Sequence, residues 1–169
     1  MAPKDPQPLD ELDEQIVWEL GKDGRIPNSR LASKLGIAES TTHARVKSLI
    51  DRGVIQSFHA ALDMDLLGLP FQAMIMVRLR TPPPTDLLAY AREFALLPPV
   101  IALFVVGSSY DFMIHVACAT REQLRDLVAQ KIAAEPGVAS VQTHLVFDHL
   151  RGEQHMDHLS GLGDVLRPA

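Results

Sequence analysis

The chain has 169 residues, 47% of them hydrophobic and 22% charged, with 16 Lys and Arg against 21 Asp and Glu for a formal charge of −5. This is the make-up of a soluble globular chain long enough for two small domains, without the overall basic charge that by itself announces nucleic-acid binding. No apolar run approaches the ~18–20 residues of a membrane span, and the single cysteine, Cys118, excludes an internal disulfide and fits a reducing compartment.

Met1 to Pro8 holds three prolines and no apolar core, so it reads as a disordered arm and not as a signal peptide. Leu9, Leu12, Ile16 and Leu20 then recur at helical spacing, predicting a first helix from Asp10 to Lys22. Asp10 caps it, the acids Glu11, Asp13 and Glu14 suit its positive end, and Asp23-Gly24 ends it. Pro27-Asn28 opens a second helix with Asn28 as cap; Leu31, Ala32 and Leu35 form its apolar face and Gly36 stops it. A third helix is predicted from Glu39 to Arg52, with Thr42, Val46, Leu49 and Ile50 inward. Ser40, Thr41, His43, Ala44, Lys47 and Ser48 face outward, and Arg45 lies near the edge. Gly53 closes this helix, and Val54 to Phe58 reads as a strand.

Two short helices joined by a tight glycine turn behind a longer first helix form a helix-turn-helix, whose last helix enters the major groove of DNA. The residues expected to touch DNA are Ser40, Thr41, Thr42, His43, Arg45, Lys47 and Ser48, although Thr42 also falls on the inward face. Hydroxyls and imidazole bond base edges or phosphates, and the cations serve the backbone. Pattern alone leaves equally open a generic three-helix bundle with a solvated face. The third helix carries Arg45, Lys47 and Arg52 against Glu39 and Asp51, a net of only +1.

In the second half, Phe71 to Leu79 alternates apolar with polar or methionine residues, a strand with two distinct faces. Pro82 to Pro84 breaks it, and Asp86 to Leu96 is helical with Leu87, Ala91 and Phe94 inward. Val100 to Val106 reads as a buried strand, Gly107-Ser108-Ser109 as a turn, and Tyr110 to Ala117 as a third strand. Thr120 and Gln123 form a capping box for a helix carrying Leu124, Leu127, Val128 and Ile132. Glu135-Pro136-Gly137 ends it before a last strand, Val138 to Phe147. The order βαββαβ is ferredoxin-like, so the fold class is α+β. With both helices on one sheet face, the other, carrying Met74 and Met76, is left for a partner, most simply a second copy.

The first sixty residues carry Leu9-Asp10, Asp13, Asp23-Gly24-Arg25, Leu31-Ala32, Gly36, Arg45-Val46, Leu49 and Gly53-Val54-Ile55 in order. This series resembles the Lrp/AsnC family of leucine- and asparagine-responsive regulators, and the resemblance extends to about Leu150. One departure is Ala38, where the family usually has a helix-capping serine. The resemblance implies residues 9–62 as a winged-type helix-turn-helix, 63–70 as a linker, 71–150 as the ligand-sensing and assembly domain called RAM, and 151–169 as a tail. It implies a cytoplasmic transcription regulator without catalytic residues, cofactor or metal. Its partners would be double-stranded DNA, a small effector of the amino-acid type, and further copies in dimers or larger assemblies. Family effectors bind near the turn between the two central strands, where a glycine is often followed by an acid, as in G-x-Y-D. Here the run Gly107-Ser108-Ser109-Tyr110-Asp111 is one residue longer, with Asp111 the candidate partner for an amino group. The same residues also read as a hairpin turn in which Asp111 holds its own loop. Two alternatives come with the resemblance: a sirohaem decarboxylase of the same layout, and an effector-independent protein that bends DNA. His155 and His158 fall in the tail, where a solvated segment outweighs a metal site, and Cys118 reads as core.

Overall fold

A computed structural model describes residues 9–80 and 87–150. The arm, the Pro82–Pro84 break, the start of the fourth helix at Asp86 and the tail with its histidines lie outside them. The chain divides between Ala60 and Ala61 into two compact units.

The first unit is three helices, α1 (Glu11–Lys22), α2 (Asn28–Leu35) and α3 (Glu39–Asp51). Asp10 sits just outside α1 in extended backbone, and its carboxylate accepts the Asp13 amide at 2.8 Å. This satisfies one of the donors that a helix start leaves without an internal partner. Asn28 does not cap α2. Pro27 takes that place, with its carbonyl accepting the Leu31 amide at 2.9 Å, because proline's fixed φ already matches the extended cap conformation. Gly36 ends α2 in the left-handed region at φ 66°, where a side chain would be strained. Ala38 precedes α3 with no side-chain cap. Ile16, Ile26, Leu31 and Leu49 are buried at the centre, ringed by Leu12, Leu20, Leu35, Val46 and Ile55. Each fully buried aliphatic side chain contributes roughly 2 kcal/mol.

The expected strand from Val54 to Phe58 is absent. The amides of Val54 and Ile55 turn back to the Leu49 carbonyl at 2.9 and 3.2 Å and close the end of α3. Among the described residues of this unit no other segment forms a strand to pair with it, and a lone strand has no ladder.

The second unit is β1 (Phe71–Leu79), α4 (Leu87–Ala95), β2 (Val100–Val105), β3 (Phe112–Cys118), α5 (Arg121–Asp126) and β4 (Val138–Leu145). The strands form one antiparallel sheet in the order β2-β3-β1-β4, the ferredoxin-like arrangement. Thr120 and Gln123 close α5 as expected. The Gln123 amide donates to Thr120 Oγ1 at 3.1 Å, and Gln123 Oε1 accepts from the Ala119 amide at 3.0 Å. After α5 the helix widens into a π turn over Leu127–Ile132.

Ala73, Ile75, Val77 and Leu79 of β1 join Phe112, Ile114 and Val116 of β3 in the core, under Ala91 and Phe94 of α4 and Leu124 of α5. The opposite face of the sheet shows two rows set by the register. Ala102, His115, Met74 and His144 lie side by side, as do Phe104, Met113, Met76 and Gln142. β2 is an edge strand and not the buried one expected. Ile101, Phe104 and Val105 are exposed, because sheet order, which sequence periodicity does not encode, puts β2 outermost.

Candidate nucleic-acid interface and effector turn

α3 presents Ser40, Thr41, His43, Lys47 and Ser48 to solvent, with Ala44 among them, while Arg45 is half-buried. Their positions, three, four and seven apart, gather them on one side of the helix. Thr42 does not belong with them, which corrects the sequence-based set. It is fully buried, and its Oγ1 donates to the Ala38 carbonyl at 3.2 Å. That bond satisfies the hydroxyl within the helix, and it ties down the cap position that lacks a serine.

The cations of α3 already have anionic partners. Lys47 Nζ lies 2.6 Å from Asp51 Oδ2, one turn on, with both side chains largely exposed. Arg45 Nη1 reaches both Asp10 Oδ2 and Asp13 Oδ1, the latter at 2.8 Å. Arg52 Nη1 reaches the other oxygen of Asp13 at 2.9 Å. Asp13 is thus a buried carboxylate shared between two arginines, with its residue only 6% exposed. A buried charge persists only when paired in this way. The hydrogen bond from Arg45, then that from the Asp13 amide, holds the Asp10 carboxyl below its ordinary value. The same pairing, with Asp10 and then Asp13, raises Arg45. Together with Ser40, Thr41, Ala44 and Ser48, these four residues, Asp10, Asp13, Arg45 and Arg52, line an open groove.

Sequence reasoning missed this network, having taken Asp13 for an acid that merely suits a helix start. The signal was present in the spacings. Asp10 and Asp13 are three residues apart, and Arg45 and Arg52 seven apart, so each pair shares a helix face.

In the second unit, Gly107, Ser108, Ser109, Tyr110 and Asp111 form the turn between β2 and β3. Tyr110 and Asp111 stay in the turn, since β3 starts only at Phe112. The turn is held by its own groups. Ser108 Oγ accepts from the Tyr110 amide at 3.2 Å and lies 3.3 Å from the Tyr110 carbonyl. Asp111 accepts the Leu79 amide at Oδ2, 2.7 Å, and its own amide donates to the Val77 carbonyl at 2.9 Å. Its carboxylate therefore pins the turn to the end of β1. Gly107 does not need a glycine's conformational freedom. Its φ is not positive, and an added Cβ meets nothing within 4 Å.

On the open sheet face, His115 bonds Gln72 Oε1 through Nε2 at 3.1 Å, and its ring centroid lies 6.3 Å from that of His149. Burial, then the charge of His149, pushes its pKa down. Cys118 is buried, and burial pushes its thiol up, as befits a core residue. Among the described residues no helix is long and apolar enough to cross a membrane.

Comparison with known proteins accords with both halves. A family model for winged helix-turn-helix DNA-binding matches residues 9–56, and one for the Lrp/AsnC ligand binding domain matches residues 72–155. The HTH-type transcriptional regulator AldR of Mycobacterium tuberculosis is 40% identical over 147 residues, 87% of this chain and 82% of that protein. The crystal structure of that AldR aligns with a TM-score of 0.74 at 36% identity, covering 85% of this chain and 98% of the other. The leucine-responsive regulatory protein of Rhizobium meliloti is 32% identical over 85% of this chain and 92% of its own length. A Neisseria meningitidis transcriptional regulator, solved as a complex with L-Met, shares the fold at a TM-score of 0.76 and 23% identity, covering 86% and 94%.

Proposed function

Because the chain belongs to the Lrp/AsnC family of DNA-binding transcriptional regulators, we propose that α3 reads DNA through Ser40, Thr41, His43, Lys47 and Ser48. The observation that carries this is the single exposed face on which those five side chains stand together. Hydroxyls and imidazole suit base edges and phosphates, and Lys47, loosely held by an exposed acid, is available to the backbone. Residues 9–62 serve as the DNA-binding domain, 63–70 as the linker, and 71–150 as the sensing and assembly domain of a cytoplasmic regulator.

Self-association runs through the open sheet face, whose methionines and Phe104 form an apolar surface of the kind that needs cover. In a dimer, two recognition helices about one DNA turn apart, ~34 Å, would meet successive major grooves. An amino acid or related effector binds between dimers at the turn from Gly107 to Asp111. Supporting this, the L-Met complex shows that a protein of this fold takes an amino acid. Asp111 commits Oδ2 to the Leu79 amide, which leaves Oδ1 for an amino group.

The test is salt-dependent binding of the protein to DNA upstream of its own gene, with and without a panel of free amino acids. Sequence-preferring binding that one of them changes supports the whole reading. Binding that none changes removes the effector and favours a purely architectural role. Within that assay Lys47→Ala should weaken binding to every sequence and flatten the log–log salt slope by about 0.9. An unchanged slope takes Lys47 out of the footprint.

A further inference from the structure

The two acids at the start of α1 differ in what surrounds them. Asp13 is buried and has both oxygens engaged, one by Arg45 and one by Arg52. It fixes where those arginines stand. Asp10 has a half-exposed side chain at the mouth of the groove beside Ser40, Thr41 and Ser48. One oxygen caps α1 by accepting the Asp13 amide, and the other meets Arg45. Arg45 takes both carboxylates through Nη1 alone. A guanidinium has five donors in a planar fork suited to carboxylate and phosphate alike, so Nη2 and Nε remain for a further anion arriving along the groove.

We propose that Asp10 is a built-in competitor for Arg45, pairing in the DNA-free protein with the guanidinium charge that a DNA backbone phosphate would otherwise neutralise. The proposal rests on the reading of α3 as the DNA face and adds a restraint on its affinity. Asp13 keeps Arg45 in position whether or not DNA is bound, while the exposed pair with Asp10 is of the weak kind that an incoming anion can displace. A phosphate must therefore do so against a like charge. Capping and competition are separable, since a side chain can keep the first role and lose the second.

Asp10→Asn makes that separation, because asparagine caps a helix as well as aspartate does. Asp10→Ser is the second variant, also a good cap, for use should the amide disturb the fold. The fluorescence of Trp18, the only tryptophan and a residue of α1, reports whether the three-helix unit melts as in the wild type. Binding to DNA upstream of the chain's own gene is measured between 50 and 200 mM salt. The expected result is tighter binding at 50 mM, with a log–log slope steeper by about 0.9, one further phosphate neutralised. The variant's advantage then shrinks about three- to fourfold across that range. In an Arg45→Gln background the same change at Asp10 should give no gain.

Unchanged affinity and slope overturn the proposal, as does weaker binding, which would make Asp10 an organiser of the arginine and not its competitor. A gain that persists without Arg45 overturns the assignment to that residue. If Lys47→Ala weakens binding while Asp10→Asn does nothing, the restraint fails and the DNA face stands. If neither changes binding, the DNA face itself is wrong and the restraint falls with it.

Discussion

The two units hold their candidate sites in opposite ways. On α3 the charged side chains expected to meet DNA are already engaged by acids of the same unit, Lys47 by Asp51 and Arg45 by Asp10 and Asp13. On the ferredoxin-like unit the charged candidate, Asp111, spends an oxygen pinning its own turn, while the surface left uncommitted is the sheet face that carries Met74, Met76, Met113 and Phe104. At these two sites, then, charge is balanced internally on α3, and the open sheet face is apolar. That contrast explains how an acidic chain serves DNA. With α3 as the proposed DNA face, the basic footprint of one copy is small, and binding by assembled copies would add avidity to it.

The largest expected effect breaks the first half of the comparison. Asp13→Ala leaves two arginines facing a buried gap, and breaking buried ion pairs costs about 3–5 kcal/mol. Arg45 and Arg52 keep some access to water, their side chains being 34% and 24% exposed, so about 2–3 kcal/mol is expected here. Urea unfolding followed at Trp18 should show an earlier midpoint for the three-helix unit. A midpoint unmoved by the change would mean that the arginines are held by something other than Asp13.

Next comes the apolar face. Met76→Glu puts a carboxylate between Met113 and Gln142, on the side of β1 that does not enter the core. The folded chain should survive, whereas self-association should weaken at least tenfold, about 1.4 kcal/mol. Sedimentation across a concentration series decides it. An unchanged association constant would move the interface elsewhere.

A smaller effect sharpens the contrast between charged and apolar surface on the same face. Around His115 stand Gln72 and Met74 from β1, Ala102 from β2 and the ring of His149, with His144 across Met74. Its pKa is lowered from 6.5, by burial first and then by His149. The folded chain therefore favours the neutral imidazole. Stability of the ferredoxin-like unit should be fully present above 6.5 and be lost as pH falls through the lowered value, because the unfolded chain takes up the proton first. A loss of less than about 1.4 kcal/mol in unfolding free energy between pH 7 and 5, read by urea titration, is expected, and His115→Gln should flatten it. An equally steep profile in that variant would assign the effect to another group.

How far the sequence disclosed these features depended on range. The Asp10 cap, the Thr120–Gln123 box and the alternation of β1 are local, and each is encoded within a few residues. Helical periodicity also put Thr42 inward, and its inclusion among the DNA contacts failed because residue type was weighed above that position. The missing strand at Val54 to Phe58 needed a partner that the described residues of the unit do not supply, and the exposure of β2 followed from sheet order. The arginine–aspartate network joins residues more than thirty positions apart. Each of these three is a long-range outcome, in which tertiary pairing decides what local propensity leaves open.

The smallest expected effect bears on the turn, and its value lies in what stays constant. Gly107 has ordinary backbone and open space where a Cβ would go, so Gly107→Val should leave the melting temperature of the ferredoxin-like unit nearly unchanged, within about 0.5 kcal/mol. Any change in assembly or in the amino-acid response then arises from what approaches the turn from outside. Asp111 provides the internal control, because its bonds to the Leu79 amide and the Val77 carbonyl tie the turn to β1. Asp111→Ala should lower stability by about 1–2 kcal/mol through the stranded amide, whether or not a ligand exists. A valine at Gly107 that alters the effector response without touching stability identifies the turn as a binding surface. One that alters neither leaves Asp111 as a strut for its own hairpin.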